Sequence, residues 1–377
     1  MRHVVMISKT FVATTAQRQL EELARQPGLR LTLITPPLWQ ADDGGVQTFT
    51  PTFIAGYRVI TTPIRANGRY HVYHYPRLGG LLDVLQPDVV HMDDEPYNTA
   101  TCHALWLCQQ RKIPALAVAW QNILRRYPPP FTFMEKWVYR HVAAIIAGNS
   151  DAAMVVRAKG YQGPLPIFSL HGIDPSIWQP RHVDPPEQNA PFTIGYIGRL
   201  VPEKGIETLL DALTHLPLRC RLQIIGRGPD AERLRARATH LGLGERVAWQ
   251  PYIDPQQLPP AMRALDALVL PSRSRPNWRE QFGRVLIEAM ASGVPVVGST
   301  SGEIPRVIAT AGALYPEGDA AALATALARL ATEPDWWRTC AVAGRARALT
   351  HFTQATIATQ LAQVYAEILA PAAARRH

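Results

Sequence analysis

The chain has 377 residues, of which 47% are hydrophobic and 18% charged, and it carries a net charge of +9 with a pI near 9.6. This length suits two domains of about 150–200 residues each, and the composition excludes disorder over most of the chain. The positive charge favours anionic partners such as nucleotides, phosphorylated acceptors or acidic lipids, but the basic residues form no dense run, so nucleic acid is not expected as a partner.

The N-terminus, a short apolar run after Met1-Arg2-His3, is typical of a first β-strand rather than a signal peptide. The sequence has no run of about 18 apolar residues, so no membrane span is predicted. The four cysteines form no CxxC pair, so neither a zinc site nor a disulfide scaffold is expected. We expect a cytoplasmic location, with the inner face of the membrane as the alternative.

Short apolar runs alternate with helical stretches in the first half of the chain. Strands are predicted at His3–Ser8, Leu31–Thr35, Asp88–Met92, Leu116–Trp120 and Ala143–Gly148. Helices are predicted at Gln17–Arg25, Asn98–Arg111 and Phe133–Arg140. Continuous apolar strands that alternate with helices are typical of a parallel sheet covered on both faces.

A second alternating series follows a proline-rich stretch, 179–191. Its strands are predicted at Phe192–Ile197, Arg221–Ile225, Ala267–Leu270 and Val294–Val297. Its helices are predicted at Gly205–His215, Asp230–His240, Gln257–Ala264, Gly283–Ser292 and Ala320–Ala331. The sequence therefore predicts an α/β protein of two Rossmann-like domains, 1–180 and 192–353, joined by a linker at 181–191. Their ligand-binding edges are expected to face each other across a cleft. A last helix at about 354–369 could pack back on the first domain.

The loop Gly198–Gly205, GRLVPEKG, directly follows a predicted strand. A glycine lets the backbone turn sharply at the strand end. Arg199 and Lys204 then place two cations near the predicted cleft, where arginine offers a bidentate fork for phosphate and lysine a point charge. The alternative is an ordinary basic loop on the surface.

The segment Glu280–Gly293 holds two acids, Glu280 and Glu288, on either side of a helix start near Gly283. The free N–H groups at a helix start form an anion site that suits a pyrophosphate. Eight residues at helical rise span about 12 Å, comparable with the distance from the sugar to the ribose of a nucleotide-sugar. Such a pair of acids also arises by chance, so the spacing alone is a weak signal.

Taken together, these segments resemble the retaining glycosyltransferase family 4, which is built on the GT-B fold. The family pattern is G-R-L-x-x-x-K-G, then G-x-G-P, then E-x-F-G-x-x-x-x-E-A-M-A-x-G-x-P-V-V. The chain has GRLVPEKG at 198–205, GRGP at 226–229 and EQFGRVLIEAMASGVPVV at 280–297. Order and spacing match across roughly 192–308.

The resemblance implies the transfer of a sugar from a nucleotide-diphosphate sugar to a hydroxyl acceptor, which could be a glycan, a lipid-linked molecule or a small molecule. The implied mechanism is retaining and metal-independent, with front-face attack. UDP is the first expectation for the base and GDP the second. No cofactor is implied, because the nucleotide-sugar is a co-substrate, and no metal is expected because cations and a helix terminus do its electrostatic work.

The family also implies roles for single residues. Arg199 and Lys204 would neutralise the leaving diphosphate, Glu280 would hold the transferred sugar and Glu288 the ribose. Further donor contacts are implied at Gly198, Gly226, Gly228, Phe282, Gly283, Arg284 and Val285.

The first half departs from the family pattern. The loop after the first strand, Lys9–Thr15, lacks the usual glycines, and Thr14 in it is a candidate acceptor or sugar contact. Trp120 or Gln121 stands where many members have a histidine that touches the donor sugar, and His171 stands where an asparagine is usual. Each of these side chains has a structural role as its alternative.

Two further segments are candidates in the first half. Asp93, Asp94 and Glu95 follow a strand and suggest a metal, but adjacent aspartates would point apart, so an acceptor-site role for Glu95 or helix capping is preferred. The loop Asn122–Phe131 mixes cations, aromatic residues and three prolines, and could contact an anionic lipid surface or a phosphorylated acceptor. A rigid surface loop is its alternative.

Two other functions stay open. Without the family's histidine, the chain could be a catalytically weak nucleotide-sugar-binding partner subunit, and the same fold also carries nucleotide-sugar epimerases. An NAD-dependent enzyme is not supported, because no GxGxxG follows the first strand.

Overall fold

The computed structural model of the protein describes residues 1–40, 45–180, 184–185, 187, 190–254 and 256–370. It divides into two compact units, one formed by Met1–Gly172 with the segment from Gln354 onward, the other by Ile173–Thr353. The two predicted α/β domains are thus present.

The boundary between the units differs from the predicted one. The sequence places the end of the first domain at 180, whereas residues 173–180 belong to the second unit. The reason is local hydrogen bonding, because the Ile173 N–H donates to the Phe352 carbonyl at 2.8 Å and Arg345 reaches the Trp178 carbonyl. Most of the predicted linker, 181–191, lies outside the described residues.

The first unit contains a parallel sheet, a small antiparallel strand pair and flanking helices. Its strands are β1 (Arg2–Ile7), β2 (Leu29–Thr35), β3 (Leu38–Gln40), β4 (Val46–Thr48), β5 (Arg58–Thr61), β6 (Val89–Met92), β7 (Ala115–Ala119) and β8 (Ala144–Ala147). Its helices are α1 (Thr14–Ala24), α2 (Leu78–Leu85), α3 (Thr99–Gln110), α4 (Phe131–His141), α5 (Ser150–Ala158) and the C-terminal helix (Gln354–Leu369). Over the described residues the parallel sheet has six strands in the order β5-β2-β1-β6-β7-β8, and β3 pairs with β4.

Strand β1 shows why the strands of this sheet are continuous apolar runs in the sequence. Val4, Val5, Met6 and Ile7 are each at most 2% exposed. Successive side chains of a strand point to opposite faces, so Val5 and Ile7 enter one core while Val4 and Met6 enter the other. Both faces of the sheet are therefore covered, as predicted.

The C-terminal helix completes one of these two cores. Its Ile357, Leu361 and Tyr365 are each 1% exposed and share a core with Leu20 and Leu23 of α1. Burying a large apolar side chain contributes about 1.5–3 kcal/mol. This helix is accordingly part of the first unit's core.

The second unit repeats the same plan. Its strands are β9 (Phe192–Ile197), β10 (Cys220–Ile225), β11 (Val247–Gln250), β12 (Ala267–Leu270), β13 (Val296–Ser299) and β14 (Ala313–Tyr315). Its helices are α6 (Ile206–Thr214), α7 (Ala231–His240), α8 (Leu258–Arg263), α9 (Arg284–Ala291), α10 (Ile304–Ile308), α11 (Ala320–Thr332) and α12 (Pro334–His351). The strands described here form a parallel sheet in the order β11-β10-β9-β12-β13-β14.

Helix α12 was not predicted, although it is the longest helix of the second unit among the described residues. Arginines and alanines obscure its apolar stripe, yet Trp337 is fully buried and its Nε1 donates to the Asp266 carbonyl at 2.7 Å. Within the described ranges, no helix combines the length and apolar character that crossing a bilayer requires.

Candidate functional site

Three loops with predicted donor contacts leave the same edge of the second sheet. Strands β10, β9 and β12 are neighbours and run parallel, so their carboxyl ends lie side by side. Open parallel sheets bind ligands at this edge. The loops that meet there are 198–205 after β9, 226–230 after β10 and 271–283 after β12.

The first two loops pack backbone against backbone. The Gly198 N–H donates to the Ile225 carbonyl at 3.0 Å. A Cβ on Gly226 would lie 1.8 Å from the Gly198 carbonyl oxygen, and one on Gly228 would lie 2.2 Å from that of Leu200. No side chain fits at those distances. The GRGP loop therefore keeps its place against Gly198 only with glycine at both positions.

Lys204 and Glu280 meet at this edge. The ammonium of Lys204 donates to Glu280 Oε2 at 2.5 Å, and the Ser272 hydroxyl donates to the same oxygen at 2.7 Å. The Trp278 ring centroid lies 4.9 Å from Lys204 Nζ. Glu280 is only 7% exposed, so its carboxylate is held in a largely desolvated position. Two residues predicted for the diphosphate and the sugar thus form one cluster.

Arg199 is positioned through its backbone. The buried Tyr196 hydroxyl donates to the Arg199 carbonyl at 2.7 Å, while the Arg199 side chain is exposed. Burial, assisted by the nearby charge of Glu280, raises the pKa of Tyr196 well above its usual value, so the hydroxyl stays a donor. The turn after β9 is fixed, and the guanidinium projects from it into solvent.

Helix α9 begins at Arg284, one residue later than predicted, with Gly283 as its N-cap in the left-handed region at φ 83°. Glycine adopts that conformation without steric cost. Phe282 is 4% exposed and meets the Phe352 ring edge-on at 5.7 Å between centroids. Phe282 therefore anchors the loop through its side chain. The helix start then places the backbone N–H groups of Arg284 and Val285 at this edge, where a helix N-terminus favours an anion.

Glu288 lies inside the helix, one turn after Arg284. Its carboxylate is 2.8 Å from Arg284 Nε, and the residue is 6% exposed. Burial raises the pKa of Glu288, and the neighbouring Arg284 partly opposes that shift. The structure thus pairs two predicted donor contacts with each other.

The predicted acceptor-side residues lie in the first unit, at the carboxyl edge of its sheet. Glu95 Oε1 accepts hydrogen bonds from the N–H groups of Trp120 and Gln121, both at 2.9 Å. Burial is the main cause that raises the pKa of Glu95 to about 8. Glu95 therefore ties the loop after β6 to the end of β7, and its side chain does not cap helix α3, which starts after Asn98.

The other acceptor-side candidates make mainly intramolecular contacts. Trp120 lies 4.7 Å from His171 between ring centroids, and the Gln121 side-chain amide donates to the Ile123 carbonyl at 2.9 Å. Thr14 is the first residue of α1 and is half-buried. These contacts bring Glu95, Trp120, Gln121 and His171 together within the first unit.

Asp93 and Asp94 point to different partners, as the sequence predicts for adjacent residues. Asp93 accepts a hydrogen bond from the Ser8 hydroxyl at 2.6 Å, and Asp94 lies 3.1 Å from Lys9 Nζ and accepts from the Tyr73 hydroxyl. Among the described residues, no group of three histidine, cysteine, aspartate or glutamate side chains is arranged to hold a metal ion.

Two members of the Glu280 cluster escaped sequence reasoning. Ser272 and Trp278 both lie between β12 and Glu280. Ser272 stands two residues after the strand, so its place at the ligand-binding edge could have been read from the strand position alone. Trp278 gave no such signal. Its place near Lys204 depends on a loop that folds back on itself, in which Arg275 and Trp278 form an antiparallel bridge.

Two family models match the chain. The model described as glycosyl transferases group 1 matches residues 181–347, and the glycosyl transferase 4-like domain matches residues 12–165. The first range contains every predicted donor contact, and the second contains Thr14, Glu95, Trp120 and Gln121.

Curated relatives share part of the chain. The phosphatidyl-myo-inositol mannosyltransferase of Mycobacterium leprae is 38% identical over 46% of this chain and 46% of its own. The GDP-mannose-dependent alpha-(1-6)-phosphatidylinositol monomannoside mannosyltransferase of Mycolicibacterium smegmatis is 31% identical over 53% of this chain and 56% of its own. The chain spans about half the length of these curated relatives.

Solved structures match almost the whole chain. Sucrose-phosphate synthase from Thermosynechococcus elongatus has a TM-score of 0.71 at 22% identity and covers 98% of this chain and 99% of its own. HepE from Anabaena, solved in complex with UDP, has a TM-score of 0.71 at 19% identity and covers 97% and 100%. At such identities the likeness concerns the fold, and it confirms the predicted GT-B class.

Proposed function

The chain belongs to the glycosyl transferases group 1 family, and we propose from that premise that it transfers a sugar from a nucleotide-diphosphate sugar to a hydroxyl acceptor. The observation that carries the proposal is the cluster of Lys204, Glu280 and Ser272 at the edge where α9 also begins. It offers a cation, a carboxylate and a helix N-terminus, which are the groups that a diphosphate joined to a sugar requires.

The proposed reaction proceeds with retention and without a metal. The acceptor oxygen bonds to the anomeric carbon on the face from which the diphosphate departs, and a donor phosphate oxygen takes the acceptor proton. Negative charge grows on the diphosphate as its bond to the sugar breaks. Arg199 and Lys204 would stabilise that charge, Lys204 from a partly desolvated position in which a fixed cation acts most effectively, and Arg199 from the exposed side of the turn.

Glu280 and Glu288 divide the donor between them in this proposal. Glu280 accepts hydrogen bonds from hydroxyls of the transferred sugar, and Glu288 accepts them from the ribose. Both carboxylates are already desolvated and bound by cations, so donor binding exchanges existing partners rather than exposing new charge.

The donor nucleoside is proposed to be uridine or guanosine. UDP was the first expectation, and the M. smegmatis relative is named for GDP-mannose, which favours placing GDP-mannose beside UDP-sugars in the first panel. The acceptor is proposed to be a polyol hydroxyl, in line with the inositol lipids in the names of both relatives.

The test is a donor panel with the purified protein. We expect one nucleotide-sugar to raise the melting temperature and to be hydrolysed slowly, and Glu280→Gln to lower turnover about 100- to 1,000-fold. Glu203→Gln, which changes an acid one residue before Lys204, is the matched control and should keep wild-type turnover. Failure of every donor to bind or turn over would contradict the proposal.

A second candidate is a donor-binding subunit without turnover. Trp120 and Gln121, at the position of the family histidine, make contacts within the first unit, which favours this alternative. Specific binding of a nucleotide-sugar with no hydrolysis and no transfer to any polyol would select it over the enzyme.

A further inference from the structure

Two large apolar side chains near the start of α4 are exposed to solvent. Leu124 is 62% exposed and Phe133 66%. The residues that follow Leu124 are Arg125 and Arg126, both exposed. Exposed apolar residues that are grouped and bordered by charged ones mark interaction sites, including membrane contacts.

Helix α4 places further cations on the same face as Phe133. Lys136 and Arg140 follow it by three and seven residues, a spacing that puts all three on one side of a helix, and all three are exposed. The opposite side carries Glu135 and Val138, which are 6% and 0% exposed. The helix is therefore amphipathic with an exposed face that is both cationic and aromatic.

The loop before α4 is held in place at Tyr127. Its ring stacks on Tyr97 with centroids 4.1 Å apart, and Lys159 Nζ lies 4.7 Å from the Tyr127 centroid. The Thr132 hydroxyl donates to the Tyr127 carbonyl, so the residues beside those two, Arg126 and Phe133, are held near each other. The exposed residues Leu124, Arg125 and Arg126 therefore lie on a loop that is held in place.

The exposed charged residues between positions 121 and 141 are all cationic. Between residues 121 and 141 the sequence has one acid, Glu135. That carboxylate is buried and bound by Lys159 Nζ at 2.7 Å. Neighbouring helix α3, which contains no charged residue, adds Trp106 at 49% exposure, and its Gln109 amide donates to the His141 carbonyl at 3.0 Å.

We propose that this α4 surface docks on an anionic lipid bilayer. It consists of Leu124, Arg125, Arg126, Phe133, Lys136 and Arg140, flanked by Trp106. Leucine and phenylalanine enter the boundary between headgroups and acyl chains, while the cations bind anionic headgroups. The core of a protein interface is depleted of charge, which does not fit apolar residues interleaved with four cations.

Vesicle flotation tests this proposal. We expect the wild-type protein to float with phosphatidylcholine vesicles that contain about 30% phosphatidylglycerol, to ignore pure phosphatidylcholine, and to be released by high salt. Arg125→Gln with Arg126→Gln should lower partitioning about 20- to 30-fold, since each cation contributes about fivefold. Leu124→Ser with Phe133→Ser should lower it as well, with the salt dependence kept.

Matched variants on the same unit serve as controls. Arg30→Gln with Arg58→Gln removes two exposed cations elsewhere, and Val84→Ser with Met154→Ser removes apolar side chains that are 81% and 59% exposed. Both should float like the wild type, and melting temperatures verify that every variant is folded.

Three results would overturn the proposal: no flotation of the wild type, equal flotation with neutral vesicles, or equal losses in the control variants. Binding of a duplex oligonucleotide that is lost on changing Arg125 and Arg126, with no vesicle binding, would assign the surface to nucleic acid instead. Vesicle flotation and oligonucleotide binding both omit the nucleotide-sugar, so their outcomes are independent of the proposed transfer reaction.

Discussion

Lys204 and Glu280 are 76 residues apart in the chain, and their charged atoms are 2.5 Å apart. Both side chains are mostly buried, at 15% and 9% exposure, so removal of one leaves the other without its main compensating charge. We expect Lys204→Met and Glu280→Gln each to destabilise the fold, and the double variant to lose less than the two single losses combined. The coupling should be about 0.5–3 kcal/mol in a double-mutant cycle measured by urea unfolding. Additive losses would mean that the ion pair contributes nothing to stability.

Glu288 gives a prediction that concerns the ribose. If its carboxylate binds ribose hydroxyls, wild-type protein should bind the nucleotide more tightly than its 2′-deoxy analogue, by about 1–3 kcal/mol, and Glu288→Gln should reduce that difference. Calorimetry with both nucleotides measures it. Arg284→Met removes the ion-pair partner but keeps the acid, so it should retain discrimination. Equal discrimination in Glu288→Gln would place the ribose elsewhere.

Gly226 gives a prediction about packing. Because a Cβ there would lie 1.8 Å from the Gly198 carbonyl oxygen, Gly226→Ala should displace the loop, cost about 1–3 kcal/mol of stability and weaken nucleotide binding. The control is Gly80→Ala in α2, where a Cβ meets nothing within 4 Å. That change should stabilise the protein by about 0.5–1 kcal/mol. Thermal unfolding of both variants measures these changes in stability. A Gly226→Ala protein as stable as the wild type would contradict the close contact with Gly198.

Glu95 is expected to tolerate glutamine better than alanine. Its pKa of about 8 means that the neutral form prevails at pH 7, and glutamine keeps an oxygen for the Trp120 and Gln121 N–H groups. Glu95→Ala leaves both donors without that partner and should cost about 1–3 kcal/mol, whereas Glu95→Gln should cost less.

The pH dependence of Glu95 follows from the sign of its shift. The proton on Glu95 stabilises the fold fully below about pH 4.5, and this contribution is lost as the pH rises through about 8. Stability curves against pH should therefore lose this component in Glu95→Gln. Identical curves would show that Glu95 does not titrate in the folded protein.

His91 gives the opposite pH dependence. It is 1% exposed, its Nδ1 lies 2.7 Å from the Tyr365 hydroxyl, and burial lowers its pKa to about 3 from 6.5. Its contribution to stability is present above pH 6.5 and is lost as the pH falls toward 3, by up to about 1.4 kcal/mol per pH unit. His91→Gln should flatten the acid limb of urea-unfolding free energy, while Tyr365→Phe, which keeps the buried imidazole, should retain its slope.

The sequence predicted most strands of both sheets, because a strand buried on both faces is a continuous apolar run, as Val4 to Ile7 illustrate. It missed β5, β11 and β14, which are short edge strands with exposed residues. It also missed the helices α2, α5, α10 and α12; in α12 the apolar stripe is diluted by arginine. A strand at the edge of a sheet is less buried, so it lacks the continuous apolar run by which a central strand is predicted.

For the candidate site, the sequence motifs identified the loops but not the partners of each side chain. Which atom Lys204 contacts depends on how three loops from separate strands converge, and that is a tertiary property. The pairing of Glu288 with Arg284 is different. Residues four apart on a helix are neighbours, so this ion pair can be predicted from the sequence.

The C-terminal helix has a consequence for synthesis. The first unit begins at the N-terminus, yet one of its cores is closed by residues 354–369, made after the whole second unit. On the ribosome, the second unit can therefore finish folding while the first still exposes the apolar surface around Leu20 and Leu23. We therefore expect the unit that is translated first to mature last, and a nascent chain stalled before residue 354 to depend on chaperones.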